Sequence, residues 1–385
     1  MQPGRPESAL PGELNDSQEL LVQLMHKLFR INALANRARD LFKQNGSIES
    51  LEAAIKALRG GLLAHPPNTN RSMFLNDLAG ALWERYHHNG SLADLNESIK
   101  FLGEALPHCP PGHPRRAETL SSLSICLRDR ARENHSPSDL DQAIETQEAA
   151  LALRPEGNPY RSSSLTNLSL CLRDRFRELG SQEDLDNTIS HSRAALHLRP
   201  EGHHLRPSCL NNLALALQYK YELHSVPEDL QESIQLFRDA LAWYPPRHSE
   251  RPVAQYNLSI SLSYKFRRDG NISELNEAID LLRPLREQGS LQHVRRLFYI
   301  NSLANCLRER FCYYGSLVDF DEAILYQAIA VEVCPHNHSE RSTFLNNLGT
   351  SFHARFKKRG HLRDLEKSVE NHQAALALRP PGHLE

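Results

Sequence analysis

Residues 71–111, RSMFLNDLAGALWERYHHNGSLADLNESIKFLGEALPHCPP, contain the pattern that decides the fold of this chain. In the first half of this stretch, apolar residues recur three, four and four positions apart, which predicts a helix with one buried stripe. The stripe residues are Leu75, Leu78, Leu82 and Tyr86. Ala79 is small enough for a second helix to approach closely, and Gly90 favours the left-handed conformation in which helices commonly end.

The second half of the stretch predicts a second helix that pairs with the first. Ser91 followed by Asp94 has the spacing of a capping box, in which two side chains satisfy backbone N–H groups at the start of a helix. Leu95 and Ile99 lie one turn apart, and Pro110 predicts the end of the helix. The stretch therefore predicts a helical hairpin.

The whole chain repeats this hairpin. Eight copies follow one another, with one spacing of 44 residues and six of 45. The anchor leucines of the copies are Leu34, Leu78, Leu123, Leu168, Leu213, Leu258, Leu303 and Leu348. A fixed period of this size is typical of solenoids, in which each unit buries its apolar face against its neighbours. The sequence therefore predicts an all-α fold.

Composition and charge disfavour several classes of partner. The 385-residue chain has a formal net charge of −2, which gives it little electrostatic attraction for nucleic acid or for a membrane surface. No apolar run approaches the roughly 20 residues that span a bilayer. We therefore expect neither a nucleic-acid partner nor a membrane partner.

The cysteines indicate a reducing environment. Three of the seven lie three positions after an anchor: Cys126, Cys171 and Cys306. Other copies place alanine or serine at this position, which predicts a small buried slot rather than a disulfide framework. Free buried thiols are typical of reducing compartments, so we expect a cytoplasmic protein.

The repeat resembles the tetratricopeptide repeat (TPR). In helix two, a small residue is followed by an alanine seven positions on and by a proline five positions later, as in Ser98, Ala105 and Pro110. The copies are longer than the roughly 34 residues of the standard repeat. Their Leu-Asn-Asn-Leu-Ala and Pro-Pro-Gly-His segments resemble kinesin-light-chain-type repeats and the fungal arrays that precede CHAT protease-like domains. The resemblance covers about residues 27–385 and implies a right-handed superhelical α-solenoid of about eight hairpins.

The two ends of the chain differ from the copies between them. We expect residues 1–14, which contain proline and glycine, to be disordered, and residues 15–385 to form the array. No polar capping helix follows Pro381, although terminal units normally need a solvated outer face. This predicts either a fragment of a longer protein or self-association through the C-terminal end.

Opposite charges recur together in seven copies. A base lies seven positions after the anchor: Arg85, Arg130, Arg175, Lys220, Lys265, Arg310 and Arg355. An acid lies at the start of helix two: Asp94, Asp139, Asp184, Asp229, Glu274, Asp319 and Asp364. The first copy has Leu41 and Ser50 instead and so lacks both charges. This joint absence predicts either an ion pair across each hairpin turn or a base at one helix end beside an acid at the start of the next. We expect such a pair to be exposed and to contribute no more than about 1 kcal/mol.

A second basic column lies seven positions before the anchors. Its members are Lys27, Arg71, Arg116, Arg161, Arg206, Arg251, Arg296 and Arg341. Pro207 and Pro252 follow two of them, which predicts that these arginines are the N-caps of helix one. Two interpretations remain open: bonds to carbonyls at the end of the preceding helix, and a row of anion-binding sites along one rim.

The best binding candidates lie on helix one, opposite its apolar stripe; in the family that the repeat resembles, this face lines the inner groove. A column of amides one repeat apart can hydrogen-bond the backbone of an extended peptide. The amide candidates are Asn76, Asn167, Asn211, Asn212, Asn257, Asn301, Asn346 and Asn347. Candidates for reading acidic or aromatic side chains lie five positions after the anchors: Trp83, Arg128, Arg173 and Arg308. A solvated polar face without a ligand is the alternative.

Nothing in the sequence indicates catalysis, a cofactor or a metal site. Most of the 20 histidines fall in loops and lack the paired spacing of metal ligands. No glycine-rich phosphate loop and no nucleophile motif is present. The sequence therefore predicts a non-catalytic scaffold that binds a peptide or a partner protein in its groove. The alternative is a regulatory or sensor array of a larger protein whose CHAT-type protease or other effector domain is missing from this chain.

One copy departs from the pattern. Pro284 falls inside helix two of the sixth copy, where other copies carry Ala149, Ala194 or Asp239. A proline inside a helix removes a hydrogen bond and clashes with the preceding turn. We expect a shortened helix and a change of path near residues 283–295.

Overall fold

The structure, a computed structural model, describes residues 16–64, 71–287, 294–336, 338 and 340–379. Within these residues it contains sixteen α-helices and no strand, which confirms the predicted all-α fold. The helices are α1 (Asp16–Asn45), α2 (Ile48–Ala64), α3 (Arg71–Asn89), α4 (Leu92–Ala105), α5 (Arg116–Asn134), α6 (Pro137–Ala152), α7 (Arg161–Leu179), α8 (Gln182–His197), α9 (Arg206–His224), α10 (Pro227–Trp243), α11 (Arg251–Asp269), α12 (Ile272–Leu282), α13 (Val294–Tyr314), α14 (Leu317–Val333), α15 (Arg341–Arg359) and α16 (Leu362–Ala377). The predicted disorder of residues 1–14 falls outside the described residues.

The chain divides into two compact units, unit 1 (Met1–Ala195) and unit 2 (Leu196–Glu385). In each unit an odd-numbered helix, helix one, forms a hairpin with the even-numbered helix two that follows. Within unit 1, α1 to α7 pack in chain order, and α1, α3, α5 and α7 also touch in sequence. Within unit 2, α9 to α16 pack in chain order, and α9, α11, α13 and α15 touch in the same way. Each unit is therefore a stack in which hairpins contact their neighbours, as predicted for a solenoid.

The predicted apolar stripes form the core of both units. In unit 1, Leu75, Leu78 and Leu82 are fully buried. The prediction is wrong for Leu34, which is 64% exposed, while Leu28 and Ala35 are buried on the same helix. Leu78 packs in a cluster with residues of the preceding α2, whereas the described chain has no helix before α1 on which Leu34 could pack.

Small residues let the two helices of a hairpin meet closely. Ser98 on α4 is fully buried and donates a 2.9 Å hydrogen bond to the backbone carbonyl of Ala79 on α3.

The predicted cysteine slot is also confirmed, because Cys126, Cys171 and Cys306 are buried free thiols. Burial raises the pKa of Cys126 and of Cys306 to about 12 and the pKa of Cys171 to about 11. These thiols therefore remain protonated near neutral pH and act as small apolar side chains.

The predicted turns between helix one and helix two are confirmed. Six hairpins turn at a glycine with a positive φ: Gly46, Gly90, Gly180, Gly270, Gly315 and Gly360. The other two turn at His135 and Ser225, with φ of 49° and 55°. A left-handed residue at this point closes helix one and reverses the chain.

The ion pair across the hairpin turn is confirmed, but it is less exposed than predicted. Arg85 binds both carboxylate oxygens of Asp94 at 2.8 and 2.6 Å, and equivalent pairs occur in the other six copies that carry these charges. The acids are buried in all but one of these copies, with Asp184 only 3% exposed. Because a desolvated carboxylate depends on its partner, removing one member of such a pair costs more than breaking the surface pairs that we expected.

The predicted capping box forms only in part. Ser91 accepts a hydrogen bond from the backbone N–H of Asp94, as a capping residue does. The carboxylate of Asp94 binds Arg85 instead of reaching back to the backbone of Ser91, whose N–H donates to Asn89 at 3.0 Å. The acid at this position therefore joins two helices rather than completing a cap.

The second basic column binds carbonyls at the end of the preceding helix. Arg116 donates to the carbonyl of Cys109 at 2.7 Å, and Arg161 donates to the carbonyl of Arg154 at 2.7 Å. The same contact recurs at four further positions: Arg206, Arg251, Arg296 and Arg341. These contacts support the first of the two interpretations, in which the arginines bind carbonyls of the preceding helix.

The predicted N-cap position is wrong by one residue, because Leu205 and Glu250 are the N-caps and the arginines are already helical. The first turn of a helix tolerates the proline that follows each arginine.

Pro284 shortens helix two of the sixth hairpin, as predicted. The helix α12 ends at Leu282, and a 3-10 turn covers Arg283–Glu287. Residues 288–293 lie outside the described residues, so the predicted change of path remains a prediction.

Two adjacent glycines of α2 should respond to alanine in opposite directions. A Cβ atom on Gly61 would lie 2.3 Å from the ring of Phe74, which is fully buried and cannot move aside, whereas a Cβ on Gly60 meets nothing within 4 Å. We expect Gly61→Ala to lower the free energy of unfolding by about 1–2 kcal/mol through overpacking. Gly60→Ala should raise it by up to about 1 kcal/mol, because alanine favours helix. Chemical denaturation of both variants tests the pair, and equal effects would contradict the packing of α2 on α3.

Candidate functional site on helix one

Trp83 stands between two cavities on the helix-one side of unit 1. The smaller, of about 200 Å³, is lined by Arg39 of α1, Gly80 and Trp83 of α3, and Ile125 of α5, among others. The larger, of about 390 Å³, is lined by Phe42, Trp83, Glu84, His87, His88, Arg128, Asp129 and Arg132. We call the surface formed by the residues lining these two cavities the unit-1 groove. It is built mainly from α1, α3 and α5, which are direct neighbours, and Ser98 and Leu102 of α4 contribute to the smaller cavity.

The indole of Trp83 is held in place from two sides. Its Nε1 donates a 2.8 Å hydrogen bond to Asp129 of the next hairpin. The ring of His87, one turn further along α3, makes an edge contact with the indole at a centroid distance of 4.3 Å. His87 also lies 3.1 Å from the same carboxylate through its Nε2. A tryptophan fixed in this way presents a large apolar surface at little entropic cost.

Gly80 gives the smaller cavity its space. Other copies carry larger residues at this position, such as Ile125 and Leu170. A Cβ on Gly80 would lie 2.6 Å from the guanidinium of Arg39, so the glycine allows Arg39 to lie across α3. Leu102 and Ile125 supply apolar surface to the same cavity. The cavity is therefore a feature of this copy and not of the repeat in general.

A ladder of polar contacts crosses the groove from copy to copy. The side chain five positions after one anchor binds the acid six positions after the next anchor. In this way Arg39 binds Glu84 with two bonds of 3.0 and 2.9 Å, and Trp83 binds Asp129. The third contact of the ladder joins Arg128 to Asp174, whose carboxylate lies 3.8 Å from the guanidinium. The positive charges predicted to read a ligand are therefore largely neutralised by acids of the same chain.

Two of the acids of this ladder are buried. Asp129 and Asp174 are each 4% exposed. Burial pushes the pKa of Asp129 upward, but the hydrogen bonds from His87 and Trp83 and the charge of Arg128 outweigh it, so that the pKa lies below the usual value. The carboxylate stays ionised at neutral pH and fixes the residues around it.

Sequence reasoning identified one side of the ladder and missed the other. Trp83, Arg128 and Arg173 were predicted as binding residues, and Arg173 contacts the neighbouring Asp174 at 3.0 Å. The acids of the ladder were not singled out, although Glu84, Asp129 and Asp174 recur at one repeat position. That regularity was the signal that could have revealed them.

Some amides of the predicted column form hydrogen bonds with one another within the chain. In unit 2, Asn257 donates to Asn211 at 3.4 Å and Asn347 donates to Asn301 at 3.2 Å, so these amides bridge neighbouring hairpins. Asn257 and Asn301 are both buried.

The remaining candidates are more accessible, and the structure does not bring them into one site. Asn76 donates to the backbone carbonyl of Ser72 on its own helix, and the exposed Asn346 lies 3.1 Å from His372. Asn167, Asn212 and Arg308 are half-buried. Of the twelve predicted residues, Trp83 and Arg128 line the unit-1 groove.

The helix-one side of unit 2 carries a smaller and more polar cavity. It measures about 140 Å³ and is lined by Ser263, Tyr264, Arg267 and Glu309, among others. Arg267 binds Glu309 at 2.8 Å, so charge is neutralised here as well. This cavity has no tryptophan among its lining residues. The unit-1 groove is therefore the stronger candidate.

The described part of the chain contains no cluster of three or more histidine, cysteine or acidic residues that could hold a metal ion. None of its helices is long and apolar enough to cross a membrane.

Comparison with known proteins identifies the type of fold. No protein-family model matches the sequence, and no curated protein matches it either. Among solved structures, the apo form of the quorum sensor NprR from B. thuringiensis is similar over 94% of this chain and 92% of its own, with a TM-score of 0.58 and 13% identity. The human IFIT1 dimer with m7Gppp-AAAA matches 92% of this chain and 69% of its own at a TM-score of 0.49 and 16% identity. A tetratricopeptide repeat protein from Parabacteroides merdae is similar over 77% of this chain and 98% of its own, with a TM-score of 0.41 and 13% identity. At 13% identity the likeness to NprR concerns the fold alone, and together with the sixteen paired helices of the described residues it shows that the chain has an all-α solenoid fold.

Proposed function

We propose that the chain is a non-catalytic protein-interaction scaffold that binds a peptide segment of a partner protein in the unit-1 groove, with Trp83 as its anchor. The observation that carries this proposal is a rigidly held, half-buried tryptophan between two cavities of about 200 and 390 Å³. Tryptophan in such a setting is the residue type most enriched among those that dominate binding energy.

The charges of the groove favour a particular kind of segment. Arg39 and Arg128 are engaged by acids of this chain, so a polyanionic ligand would have to compete with Glu84 and Asp129. The smaller cavity is lined by Gly80, Leu102 and Ile125 and suits an apolar side chain. We therefore propose a segment that inserts an apolar or aromatic side chain beside Trp83. A quorum sensor shares this fold, which fits a binding role.

The test is selection of peptides from a displayed random library on the full chain, followed by affinity measurement with variants. Trp83→Ala should weaken binding of the selected peptides at least tenfold, because truncation of an interface tryptophan commonly removes more than about 1.4 kcal/mol. Trp243→Ala provides the matched control. Trp243 is the other of the two tryptophans, is 43% exposed and lies in unit 2.

Circular dichroism establishes that both variants fold. Equal binding by wild type and Trp83→Ala would contradict the proposal, as would selection of peptides whose binding depends on Trp243. Asn167→Ala tests whether the amide column contributes, and we expect a smaller loss of up to about fivefold for one backbone hydrogen bond.

A further inference from the structure

Another cavity of unit 1 lies away from the binding candidates on helix one, in the loops between hairpins. It measures about 490 Å³ and is formed by the start of α5, the end of α6 and the residues before α7. Its lining residues are Pro114, Ala117, Glu118, Leu153, Arg154, Asn158 and Tyr160. Most of these side chains are apolar, and Arg154 supplies the positive charge.

Arg154 is a buried arginine without an acidic partner. Its residue is 8% exposed, and one guanidinium nitrogen donates to the hydroxyls of Ser121 and Ser164 at 3.1 and 2.6 Å. Among the described residues, no carboxylate lies within 4.0 Å of this guanidinium. Burial lowers the pKa of Arg154, and the nearby charge of Glu118 opposes this effect without forming an ion pair.

The repeat itself shows that the fold does not require an arginine here. The same repeat position holds arginine again at Arg199 and Arg379, but Cys109, Tyr244 and Cys334 in three other copies, and these three are buried. A neutral side chain therefore fills this position without loss of the hairpin. A buried charge that other copies replace with a neutral side chain, and that makes no direct ion pair, is costly unless a ligand neutralises it.

The shape of the cavity indicates what the ligand carries besides its charge. A volume of about 490 Å³ is within the range of small-molecule pockets and is larger than a bare anion would fill. Leu153 and Tyr160 are 42% and 64% exposed and offer apolar surface at its mouth. The ring of Tyr160 lies 5.7 Å from the guanidinium carbon of Arg154 and helps to orient it.

We propose that this cavity binds a carboxylate carried on an apolar body, such as the C-terminal residue of a partner's peptide chain, with Arg154 as the carboxylate ligand. A guanidinium can engage a carboxylate through two parallel hydrogen bonds, which makes arginine the preferred residue for this group. Leu153, Ala117 and Tyr160 then receive the apolar body. The site is separate from the unit-1 groove and does not depend on the function proposed there.

The test is a ligand-observed NMR titration of the full chain with N-acetyl-leucine, N-acetyl-leucinamide and inorganic phosphate. We expect saturable binding of N-acetyl-leucine in the millimolar range, as its size allows, and at least tenfold weaker binding of the amide. Equal binding of acid and amide, or no saturable binding, would overturn the proposal. Tighter binding of phosphate than of N-acetyl-leucine would also overturn it, because the cavity would then serve a phosphate group.

Variants locate the bound carboxylate. Arg154→Met, which keeps an apolar stem, should weaken N-acetyl-leucine at least tenfold, whereas Arg177→Met, at an exposed arginine of α7, should leave the affinity unchanged. If Arg154→Met fails to fold, Arg154→Lys keeps the positive charge but lacks the two parallel N–H donors of a guanidinium. We expect this variant to bind N-acetyl-leucine three- to tenfold more weakly. Unchanged affinity in the Arg154 variant that folds would contradict the assignment. Loss of binding in Trp83→Ala would place the ligand in the unit-1 groove and would equally overturn it.

Discussion

Replacing Phe237 with alanine should lower the free energy of unfolding of unit 2 by about 3–5 kcal/mol, the cost expected for a fully buried phenylalanine. The side chain of Phe237 is completely buried in α10, within a cluster that includes Leu230, Leu258 and Leu275. These leucines belong to α10, α11 and α12, so the ring joins two neighbouring hairpins. Its removal leaves a cavity at the contact on which the stack depends.

The effect should also be local. Because each hairpin contacts its neighbours only, a cavity in α10 destabilises the hairpins around it first. Hydrogen exchange measured by mass spectrometry should show faster exchange in α9 to α12 and unchanged exchange in α3 to α6. Phe29→Ala is the matched control, since Phe29 is 69% exposed and its truncation should cost less than about 0.5 kcal/mol. Uniform loss of protection throughout the chain would contradict a stack of locally supported hairpins.

The second large effect concerns the ion pair that closes a hairpin. Asp184→Asn should lower the free energy of unfolding by about 2–3 kcal/mol, because it removes a charged partner from hydrogen bonds that are themselves desolvated. Asp184 is 3% exposed, and Arg175 binds its two oxygens at 2.8 and 2.7 Å. The hydrogen bonds that Arg175 donates to Asp184 are also the main reason why the pKa of Arg175 is raised above its usual value.

The same arginine provides its own control. Its second partner, Asp141, binds at 2.7 Å but has a side chain that is 60% exposed. Asp141→Asn should therefore cost less than about 1 kcal/mol, as is usual for exposed pairs. Urea denaturation of the two variants under identical conditions makes the comparison. Equal losses would show that burial does not distinguish the two contacts.

Features that depend on local sequence could be predicted. The stripe of Leu75, Leu78 and Leu82 has helical spacing, and Gly90 favours a left-handed turn, so neighbouring residues suffice to define a hairpin. Pro284 shortened its helix for an equally local reason. The failure at Leu34 has a different cause: its position in the repeat matches that of Leu78, but burial at this position comes from the preceding hairpin.

Features that depend on contacts between copies were harder to predict. In the sequence, Arg128 and Asp129 resemble an exposed pair of neighbouring charges. In the structure, the carboxylate of Asp129 accepts a hydrogen bond from Trp83 of the previous copy. Asn257 and Asn301 looked like free members of an amide column, but each bonds to an asparagine 46 residues away. Arg154 attracted no attention because its lack of an acidic partner is visible only in three dimensions. For Asp129 and the two asparagines, the deciding contact lies about one repeat away.

The most direct test of the central claim, that a peptide segment docks beside Trp83, is photocrosslinking from two positions. A photoreactive phenylalanine analogue replaces either His88, which is exposed and lines the larger cavity of the unit-1 groove, or Lys100, which is exposed on α4. Peptides selected on the wild-type chain should crosslink from position 88 and not from position 100. Crosslinking from position 100, or from neither position while the peptide still binds, would contradict binding in this groove.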